Sequence, residues 1–389
     1  MKERLKNGII FLGILAMIFG NMTLPVQAAD SDYVVIGGVL ADYNGSGSKL
    51  EIPEGVTSID DEFFDINRDE LKQIKEIYLP ASFKSIKGLY LSAYENLESI
   101  TVHKDNKYFS SENGVLYNKD KTQLIKYPIK KQDKEFTTSS KTKILAAQAI
   151  QGNKYLQKLT LGMAVTTINN ESISNCANLK SITLSKSVKT INANGILYNQ
   201  KLAEIKVNSQ NKYFTDVNGV LFNKKKTILV KYPENKKGTK YIIPSTVTTI
   251  GYRAFSRNEN LEKVTLGKKV KIVKGKAFYI CKNLKEVVTN DALTSIGNFS
   301  FASSGKLQKI TFKKGLKKIG NNAFSDCVSL KNVTFKADLK TLGSNVFKGC
   351  TSLKQVSMPV SAKTATTINN TGKNIIKITV NSKNIILNF

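Results

Sequence analysis

The chain has 389 residues, of which 41% are hydrophobic, and its 59 lysines and arginines outnumber its 30 aspartates and glutamates to give a formal net charge of +29. This hydrophobic content is enough for an ordered core and excludes a wholly disordered chain. The excess of positive charge has two interpretations that the sequence leaves open. It indicates affinity for anionic surfaces, or lysine is simply the residue that solvates this protein.

Residues 1–29 have the pattern of a secretory signal peptide. Three basic residues precede a 13-residue apolar run from Gly8 to Gly20, and a small-x-small cleavage site ends at Ala28. The run is too short to span a bilayer comfortably, and no later run approaches that length. We therefore expect an exported protein without a transmembrane segment, either secreted or loosely associated with the cell surface.

A repeat of 23 residues organises the rest of the chain. Leu330 opens the clearest copy, Val333 and Phe335 alternate with polar neighbours, and Leu353 opens the next copy. These copies, called rungs below, start at residues 47, 74, 97, 133, 156, 179, 202, 238, 261, 284, 307, 330, 353 and, in degenerate form, 375. A fixed period of this length predicts a solenoid of stacked rungs.

Each rung carries two apolar patches. Apolar residues three and five positions after the start, with a polar residue between them, predict a short half-buried strand. Farther along, pairs such as Ile250-Gly251 and Ala254-Phe255 have the spacing of one short helical turn that directs its phenylalanine inward. A single rung cannot bury both patches, so stacking predicts one continuous parallel sheet on one face and helical turns on the other.

Two rungs, those that start at Leu97 and Leu202, are thirteen residues longer and match each other at an offset of 105 residues. Each contains two β-rich runs around a polar turn, which predicts hairpin inserts at about 103–132 and 208–237. The predicted organisation is a signal peptide at 1–29, an N-terminal hairpin cap at 30–46, a solenoid at 47–374 and one or two C-terminal cap strands at 375–389.

The rung resembles the BspA-type, or Treponema-type, leucine-rich repeat of bacterial surface proteins. Residues 307–330, LQKITFKKGLKKIGNNAFSDCVSL, match its pattern LxxVTFxxxLxxIGxxAFxxCxxL closely, and the inserts at 113–128 and 218–233 also occur in that family. The resemblance covers about 45 to 385. It implies a right-handed α/β horseshoe with its parallel sheet on the concave face, surface display or secretion, and adhesion or recognition without shared catalytic residues.

The cysteines point to structure rather than chemistry. Cys176, Cys281, Cys327 and Cys350 each lie three residues before a rung start, where other rungs have asparagine or serine. A lone cysteine repeated at one position is typical of a small buried space-filler, although Cys327 and Cys350 lie on adjacent rungs and leave a disulfide open.

No arrangement of residues suggests catalysis. The chain has no Cys-x-x-Cys pair, a single histidine at position 103, and no nucleophile elbow or phosphate loop. Catalysis needs a nucleophile or base with an orienting group in reach. The sequence therefore favours a protein that is not an enzyme and holds no cofactor or metal.

The candidate ligand face is the exposed side of the strands, which the residues two and four positions after each rung start form. Its candidate residues are mainly threonine and lysine: Thr160, Thr183, Lys206, Thr265, Thr311, Thr334, Lys158, Lys263 and Lys309. One interpretation is a hydrogen-bonding surface for a protein or glycan; the other is that threonine suits any exposed strand. The aromatic candidates are the insert tyrosines, for which core packing is the alternative, at positions 108, 117, 127, 213 and 232.

These features predict a secreted or surface-associated leucine-rich-repeat protein for recognition or adhesion. Its expected partner is a protein or glycan on a host or neighbouring cell, and no specific nucleic acid is expected. The alternative is a structural, wall-associated protein that its positive charge retains on anionic polymers. High salt would release the second kind of protein, because it screens the attraction between exposed charges.

Overall fold

The computed structural model describes residues 32–60, 62–63, 68–87, 90–336, 339–358, 376–380 and 383–387. The predicted signal peptide at 1–29 and most of the approach to the C-terminal strands lie outside these residues. The chain divides into two compact units, residues 1–119 and 120–389, which are called unit 1 and unit 2.

Unit 1 begins with a hairpin in the range predicted for the N-terminal cap. Its strands Tyr33–Ile36 and Val39–Tyr43 pair antiparallel around two glycines with φ of 58° and 78°, a backbone region that glycine enters without strain. Three later strands, one rung apart, form a parallel sheet with Leu50, Ile77 and Ile100 in register. These three strands are Lys49–Glu51, Glu76–Leu79 and Ser99–Val102. The other described elements of unit 1 are Ser58–Ile59, α-helix Arg68–Lys72, Phe109–Glu112 and Val115–Asn118.

In unit 2, neighbouring rungs are joined by up to three hydrogen-bonded ladders, of which ladders A and B are interrupted at the insert. Ladder A contains the strands that begin about two residues into each rung, and its parallel pairing places equivalent residues opposite each other, as with Leu159 and Ile182. Its first sheet contains Glu135–Thr137, Lys158–Thr160, Ser181–Leu184 and Glu204–Val207. Its second sheet contains Lys240–Ile242, Lys263–Thr265, Glu286–Val288, Lys309–Phe312, Asn332–Phe335, Gln355–Met358, Ile376–Val380 and the antiparallel strand Lys383–Leu387.

Ladder B forms at the second apolar patch of the rung, where the sequence predicts a turn. Its strands are only two residues long outside the inserts, and they pair parallel and in register with the neighbouring rungs. The first group in unit 2 is Gln123–Lys126, Ile144–Leu145, Thr167–Ile168 and Thr190–Ile191. The second group is Phe214–Val217, Val220–Asn223, Ile228–Lys231, Thr249–Ile250, Ile272–Val273, Ser295–Ile296, Lys318–Ile319 and Thr341–Leu342.

Ladder C lies where the sequence predicts helical turns, and here the structure differs from the expectation. In the earlier rungs it is a small parallel sheet of Ile150–Gln151, Ile173–Ser174 and Ile196–Leu197. In the later rungs Phe255 N donates to Ala277 O at 2.7 Å and Phe278 N to Ser300 O at 2.7 Å. The described turns contain left-handed residues such as Lys276 and Phe299, with φ of 55° and 56°.

The physical reason is that a turn of this length is too short to sustain a helix. An α-helix leaves its first four N–H groups without intrahelical partners, and its nucleation is unfavourable. The neighbouring rung offers a carbonyl to these N–H groups at once. Hydrogen bonding between rungs therefore replaces hydrogen bonding within a helix, while the predicted solenoid of stacked rungs with parallel sheets is confirmed.

The insert of unit 2 is a three-stranded antiparallel meander. The predicted pair, Val220–Asn223 and Ile228–Lys231, is present, and Phe214–Val217 adds a strand before it. Asn218 and Gly219, with φ of 51° and 77°, form the tight turn of this added hairpin. In unit 1 the same type of turn joins Phe109–Glu112 to Val115–Asn118, so both inserts follow one local design.

The core of unit 2 consists of columns of identical or similar side chains. Five phenylalanines from five successive rungs stack with centroid separations of 4.7, 5.0, 5.0 and 5.8 Å and interplanar angles of 22° or less. The members of this stack are Phe255, Phe278, Phe301, Phe324 and Phe347. Offset or parallel aromatic pairs add about 0.5–1.5 kcal/mol each to the effect of area burial. Each ring therefore stabilises the two rungs that flank it.

The two inserts place a lysine at the same position, and both lysines are buried. Lys126 is 2% exposed, and burial lowers its pKa to about 8. Lys231, its equivalent, is 4% exposed and forms a 2.6 Å ion pair with Glu234, which is 2% exposed. Position 129, which corresponds to Glu234, is isoleucine. The same position thus holds a lysine with a depressed pKa, whose Nζ donates to Gln148 O at 3.3 Å, in one insert and a lysine in a buried ion pair in the other.

Replacing these two lysines by methionine should change stability in opposite directions. Between about pH 8 and 10.5 the unfolded chain binds more protons at Lys126 than the folded chain, so stability rises with pH. We expect Lys126→Met to raise the free energy of unfolding at pH 7 by about 1–3 kcal/mol and to remove this rise, because one pKa unit corresponds to about 1.4 kcal/mol. Urea unfolding at pH 7 and at pH 10 measures both effects.

Lys231→Met is the matched control. It leaves the Glu234 carboxylate buried without its ion partner, and breaking such a pair lowers stability by about 3–5 kcal/mol. A stabilising Lys231→Met, or a Lys126→Met variant that is as destabilising as Lys231→Met, would contradict this interpretation of the two sites.

Candidate functional site

The candidate ligand face is the exposed side of ladder A, called the ladder A face. Alternation along each strand buries the residue three positions after the rung start and exposes the residues on either side of it. Thus Leu159 is 0% exposed, while Lys158 and Thr160 on either side point to solvent. Pairing in register then aligns equivalent residues of successive rungs into two columns across the sheet.

The threonine column presents free hydroxyls. Thr160 lies opposite Thr183, and Thr311 lies opposite Thr334, each pair on adjacent strands. Within the described part of the chain, no side-chain hydrogen bond engages these four hydroxyls or that of Thr265. A hydroxyl both donates and accepts, so the column can bond a partner of either polarity.

The lysines of the face are largely neutralised by glutamates of the same face. Lys158 lies 3.1 Å from Glu135, and Lys263 lies 2.8 Å from Glu286, each on the adjacent strand. Lys206 lies 3.1 Å from Glu204 on its own strand. Lys309 has no carboxylate within 4 Å among the described residues. These exposed pairs contribute little to the free energy of unfolding. Their charges offset each other, so most of the chain's excess positive charge lies outside this face.

An exposed apolar residue on this face escaped the sequence analysis. Ile242 stands in the threonine column opposite Thr265 and is 74% exposed. Val288 lies on the other side of Thr265 in the same column. Counting four residues from the rung start at Gly238 would have found Ile242. The face therefore combines hydroxyls with a small apolar patch, a mixture that suits a protein partner.

The insert divides the ladder A face of unit 2 into two sections. Ile205 N donates to Gly219 O at 3.0 Å, and Val207 N donates to Asp216 Oδ1 at 2.9 Å. The meander thus occupies the edge of the strand Glu204–Val207, and a new sheet starts at Lys240–Ile242. The predicted site residues up to Lys206 belong to the first section and those from Lys263 onward to the second. The structure does not join them in one sheet.

The insert tyrosines fall into two classes. Tyr117, Tyr127 and Tyr232 are at most 2% exposed and belong to the core, as the alternative interpretation predicts. Tyr108 and Tyr213, at equivalent positions of the two inserts, are 47% and 51% exposed. These two rings are the aromatic groups of the inserts that a partner can reach.

The cysteines are free, buried and hydrogen-bonded between rungs. Each Sγ donates to a carbonyl oxygen 26 residues earlier, as in Cys281 to Phe255 O at 3.1 Å and Cys327 to Phe301 O at 3.1 Å. At the same position, Ser304 Oγ donates to Phe278 O at 2.8 Å. The predicted free thiols are confirmed, and the position selects a small donor. The occurrence of Asn, Ser and Cys at this one position in different rungs was the sequence signal, because all three side chains can donate a hydrogen bond.

The chemistry of these thiols is suppressed. Burial raises the pKa of Cys176, Cys281 and Cys350 to about 12 and that of Cys327 well above its ordinary value. A thiol must ionise to act as a nucleophile or a metal ligand. Among the described residues, no group of three or more His, Cys, Asp or Glu side chains is placed to hold a metal ion.

Comparison with known proteins identifies the family. The sequence profile described as "BspA type Leucine rich repeat region (6 copies)" matches residues 41–135, 126–237, 226–354 and 273–388. The chain belongs to the BspA-type leucine-rich-repeat family. No curated protein sequence matches the chain significantly.

Three solved structures share the fold. The pneumococcal vaccine antigen PcpA is 21% identical over 90% of this chain and 89% of its own, with a TM-score of 0.63. A leucine-rich cell surface protein from Faecalibacterium prausnitzii is 16% identical, with 90% and 99% covered and a TM-score of 0.59. A leucine-rich repeat protein from Eubacterium ventriosum is 24% identical, with 85% and 84% covered and a TM-score of 0.53. In the part of the BspA-type chain that the structure describes, no helix has the length and hydrophobicity to cross a bilayer.

The four thiols should not react while the protein is folded. We expect iodoacetamide at pH 8 to label none of them in buffer and all four in guanidinium chloride, because burial blocks access and raises their pKa. Intact-protein mass spectrometry counts the labels. A Lys306→Cys variant, which places a thiol at an exposed position, is the positive control. Rapid native labelling, or a mass two daltons lower that reveals a disulfide, would contradict the structure.

Proposed function

We propose that this BspA-type protein is secreted or displayed at the cell surface and acts in recognition or adhesion, without enzymatic activity. The observation that carries the proposal is the ladder A face. Aligned threonine hydroxyls without intramolecular bonds stand there beside the exposed side chain of Ile242. The partner in this proposal is a protein on a host or neighbouring cell, with a glycan as the other possible ligand of the same hydroxyls.

The ladder A face loses little conformational entropy when a partner binds. Strand residues held on both sides by neighbouring rungs lose little freedom when a partner binds, and preorganisation of this kind favours affinity. The glutamate–lysine pairs on the face add charges of both signs, which supply specificity more than affinity. Export is proposed from the pattern of residues 1–29 and from membership of a family of surface proteins.

A second function, retention on anionic wall polymers, is favoured by the charge. The net charge is +29, and the lysines at 158, 206 and 263 are paired, so the excess does not lie mainly on the ladder A face. Retention of this kind depends on many exposed lysines and is screened at high salt. It does not require the threonine column.

Binding to cells and to immobilised host-surface proteins tests the first function. We expect saturable binding of the exported chain that persists at 0.5 M salt, because directed hydrogen bonds and apolar contacts are screened less than exposed charge. Thr311→Glu together with Thr334→Glu places two carboxylates on the face and should weaken binding about tenfold or more. Surface plasmon resonance on the captured partner measures the change.

The matched control places the same charges on ladder B. Thr190→Glu and Thr341→Glu lie at exposed two-residue strands and should leave binding within about twofold, since isolated surface changes act locally. Equal loss in both pairs of variants, or release of the wild-type protein at 0.5 M salt, would decide against the ladder A face and for retention by charge.

A further inference from the structure

The solenoid of unit 2 has a break at its insert, and a cleft opens there. The ladder B strand Thr190–Ile191 is the last of its group, and the next rung's strand Ile228–Lys231 pairs with Thr249–Ile250 instead. A cavity of about 250 Å³ lies between the two sides, lined by Ile191 and Asn192 on one side and by Tyr252 and Arg253 on the other. Elsewhere in ladder B, backbone hydrogen bonds join the strands of adjacent rungs. Between Thr190–Ile191 and Ile228–Lys231 the strands do not pair, and side chains line the gap.

Two arginines cross the break. Arg253 Nη1 donates to the hydroxyl of Tyr198, and the Arg257 guanidinium carbon lies 4.2 Å from the centroid of the Tyr198 ring. Arginine is rare in this chain, where it occurs at positions 4, 68, 253 and 257 among 59 basic residues. Two of the four therefore meet at one place, in a protein that uses lysine almost everywhere else.

Both guanidinium groups retain unused bonding capacity. The Nε atoms of Arg253 and Arg257 are buried and have no hydrogen-bond acceptor among the described residues. Neither side chain has a carboxylate within 4 Å in the described chain, in contrast to the paired lysines of the ladder A face. A guanidinium offers five donors in a planar fork that matches the two oxygens of a carboxylate or phosphate.

The positive surface continues beyond the break. A second cavity of about 500 Å³ shares Tyr252 with the first and is lined by Lys276, Phe299 and Lys318. Lys274 lines the first cavity. The residues that line the two cavities include no aspartate or glutamate. The two cavities, with Arg257, are called the basic cleft. Its lining residues extend from the rung that starts at 179 to the rung that starts at 307, and the part from 238 to 307 is roughly 14 Å long at the spacing of adjacent strands.

We propose that the basic cleft binds a linear acidic polysaccharide, with one oxyanion held by Arg253 and Arg257 and sugar rings packed on Tyr252 and Phe299. The narrow cavities suit a thin chain rather than a folded protein or a nucleic-acid duplex. Alternating aromatic and basic side chains suit a polymer that presents a flat apolar ring face and a charge at regular intervals. The oxyanion is the carboxylate of a uronic acid or the phosphate of a phosphodiester-linked glycan.

The site is separate from the ladder A face, and the proposal does not rest on the recognition function proposed there. It also differs from retention by diffuse charge, because it assigns the binding to two particular arginines. The same arginines hold the two sides of the break together, so the experiment must measure binding and stability independently.

Calorimetric titration of the full chain at 150 mM salt tests the proposal. The probes are polygalacturonate, poly(N-acetylglucosamine 1-phosphate) and uncharged dextran. We expect saturable binding to at least one acidic polymer and none to dextran; the polymer that binds identifies carboxylate or phosphate as the oxyanion. Binding should also raise the thermal unfolding midpoint of the wild-type protein, since a ligand of the folded state stabilises it.

Two pairs of variants locate the site. Arg253→Gln with Arg257→Gln should weaken binding about tenfold or more, since hydrogen bonds to charged groups contribute about 1.5–3 kcal/mol each. Lys331→Gln with Lys354→Gln removes the same charge from exposed residues on adjacent rungs outside the cleft, and should change affinity less than about threefold. Arg253→Lys with Arg257→Lys keeps the charge and loses the fork, and should behave like the glutamine pair.

Four results would overturn the proposal. The first two are absence of binding to both acidic polymers and equal binding to dextran. The third is an equal loss of affinity in the Arg253→Gln, Arg257→Gln pair and in the Lys331→Gln, Lys354→Gln pair. The fourth is tighter binding to duplex DNA of the same charge. If the arginine variants unfold, Lys276→Gln with Lys318→Gln, which line the second cavity, should weaken binding more than Lys331→Gln with Lys354→Gln does. Equal effects of these two pairs would overturn the proposal, because they would indicate binding by diffuse charge.

Discussion

The structure depends on the inability of one rung to satisfy itself. Its short strands have no partner within the rung, and its turns are too short for helical hydrogen bonds. In unit 2 the neighbouring rung supplies both needs: backbone N–H groups such as that of Phe278 donate to the next rung, and the ring of Phe278 stacks between those of Phe255 and Phe301. The free energy of folding of such an array is largely a sum of the interfaces between neighbouring rungs, so each rung both stabilises its neighbours and is stabilised by them.

The insert of unit 2 interrupts this regularity, and the surfaces of both binding proposals lie beside it. Asn211 anchors it with four hydrogen bonds, donating to Ser185 O and Val188 O and accepting from the N–H groups of Tyr213 and Phe214 at 2.7–2.9 Å. With the meander fixed there, ladder A is divided and ladder B is opened. One consequence is the edge that exposes Ile242; the other is the cleft that the arginines cross.

Much of the fold follows from the sequence because its causes are periodic. Alternation at Val333 and Phe335, repeated every 23 residues, predicts the ladder A strands, and their register follows because every rung buries the same positions. Free cysteines follow from the position they share with asparagine and serine. The prediction of helical turns was wrong. The pattern around Ala277-Phe278 specifies an inward phenylalanine, but it does not specify whether the backbone N–H groups bond within the rung or to the neighbouring rung.

The candidate sites likewise contain features that the repeat period predicts and contacts that it does not predict. The threonine and lysine columns are readable from spacing alone, but the pairing of Lys263 with Glu286 depends on side-chain conformations that spacing does not fix. The contact of Arg253 with Tyr198 spans 55 residues across an insert of irregular length, so no period predicts it. Lys126 and Lys231 occupy equivalent positions, yet a change three residues later, Ile129 in place of Glu234, gives them different environments.

Amide hydrogen exchange at Phe324 tests most directly whether rungs are ordered only by their neighbours. In the full chain its N–H donates to Val346 O of the following rung at 2.9 Å, and its ring is 0% exposed. We predict strong protection of this amide in the full chain and exchange at the random-coil rate in an isolated peptide of residues 307–330. Comparable protection in the peptide would contradict the account, because the rung would then hold its structure without the interfaces on which the rest of the argument depends.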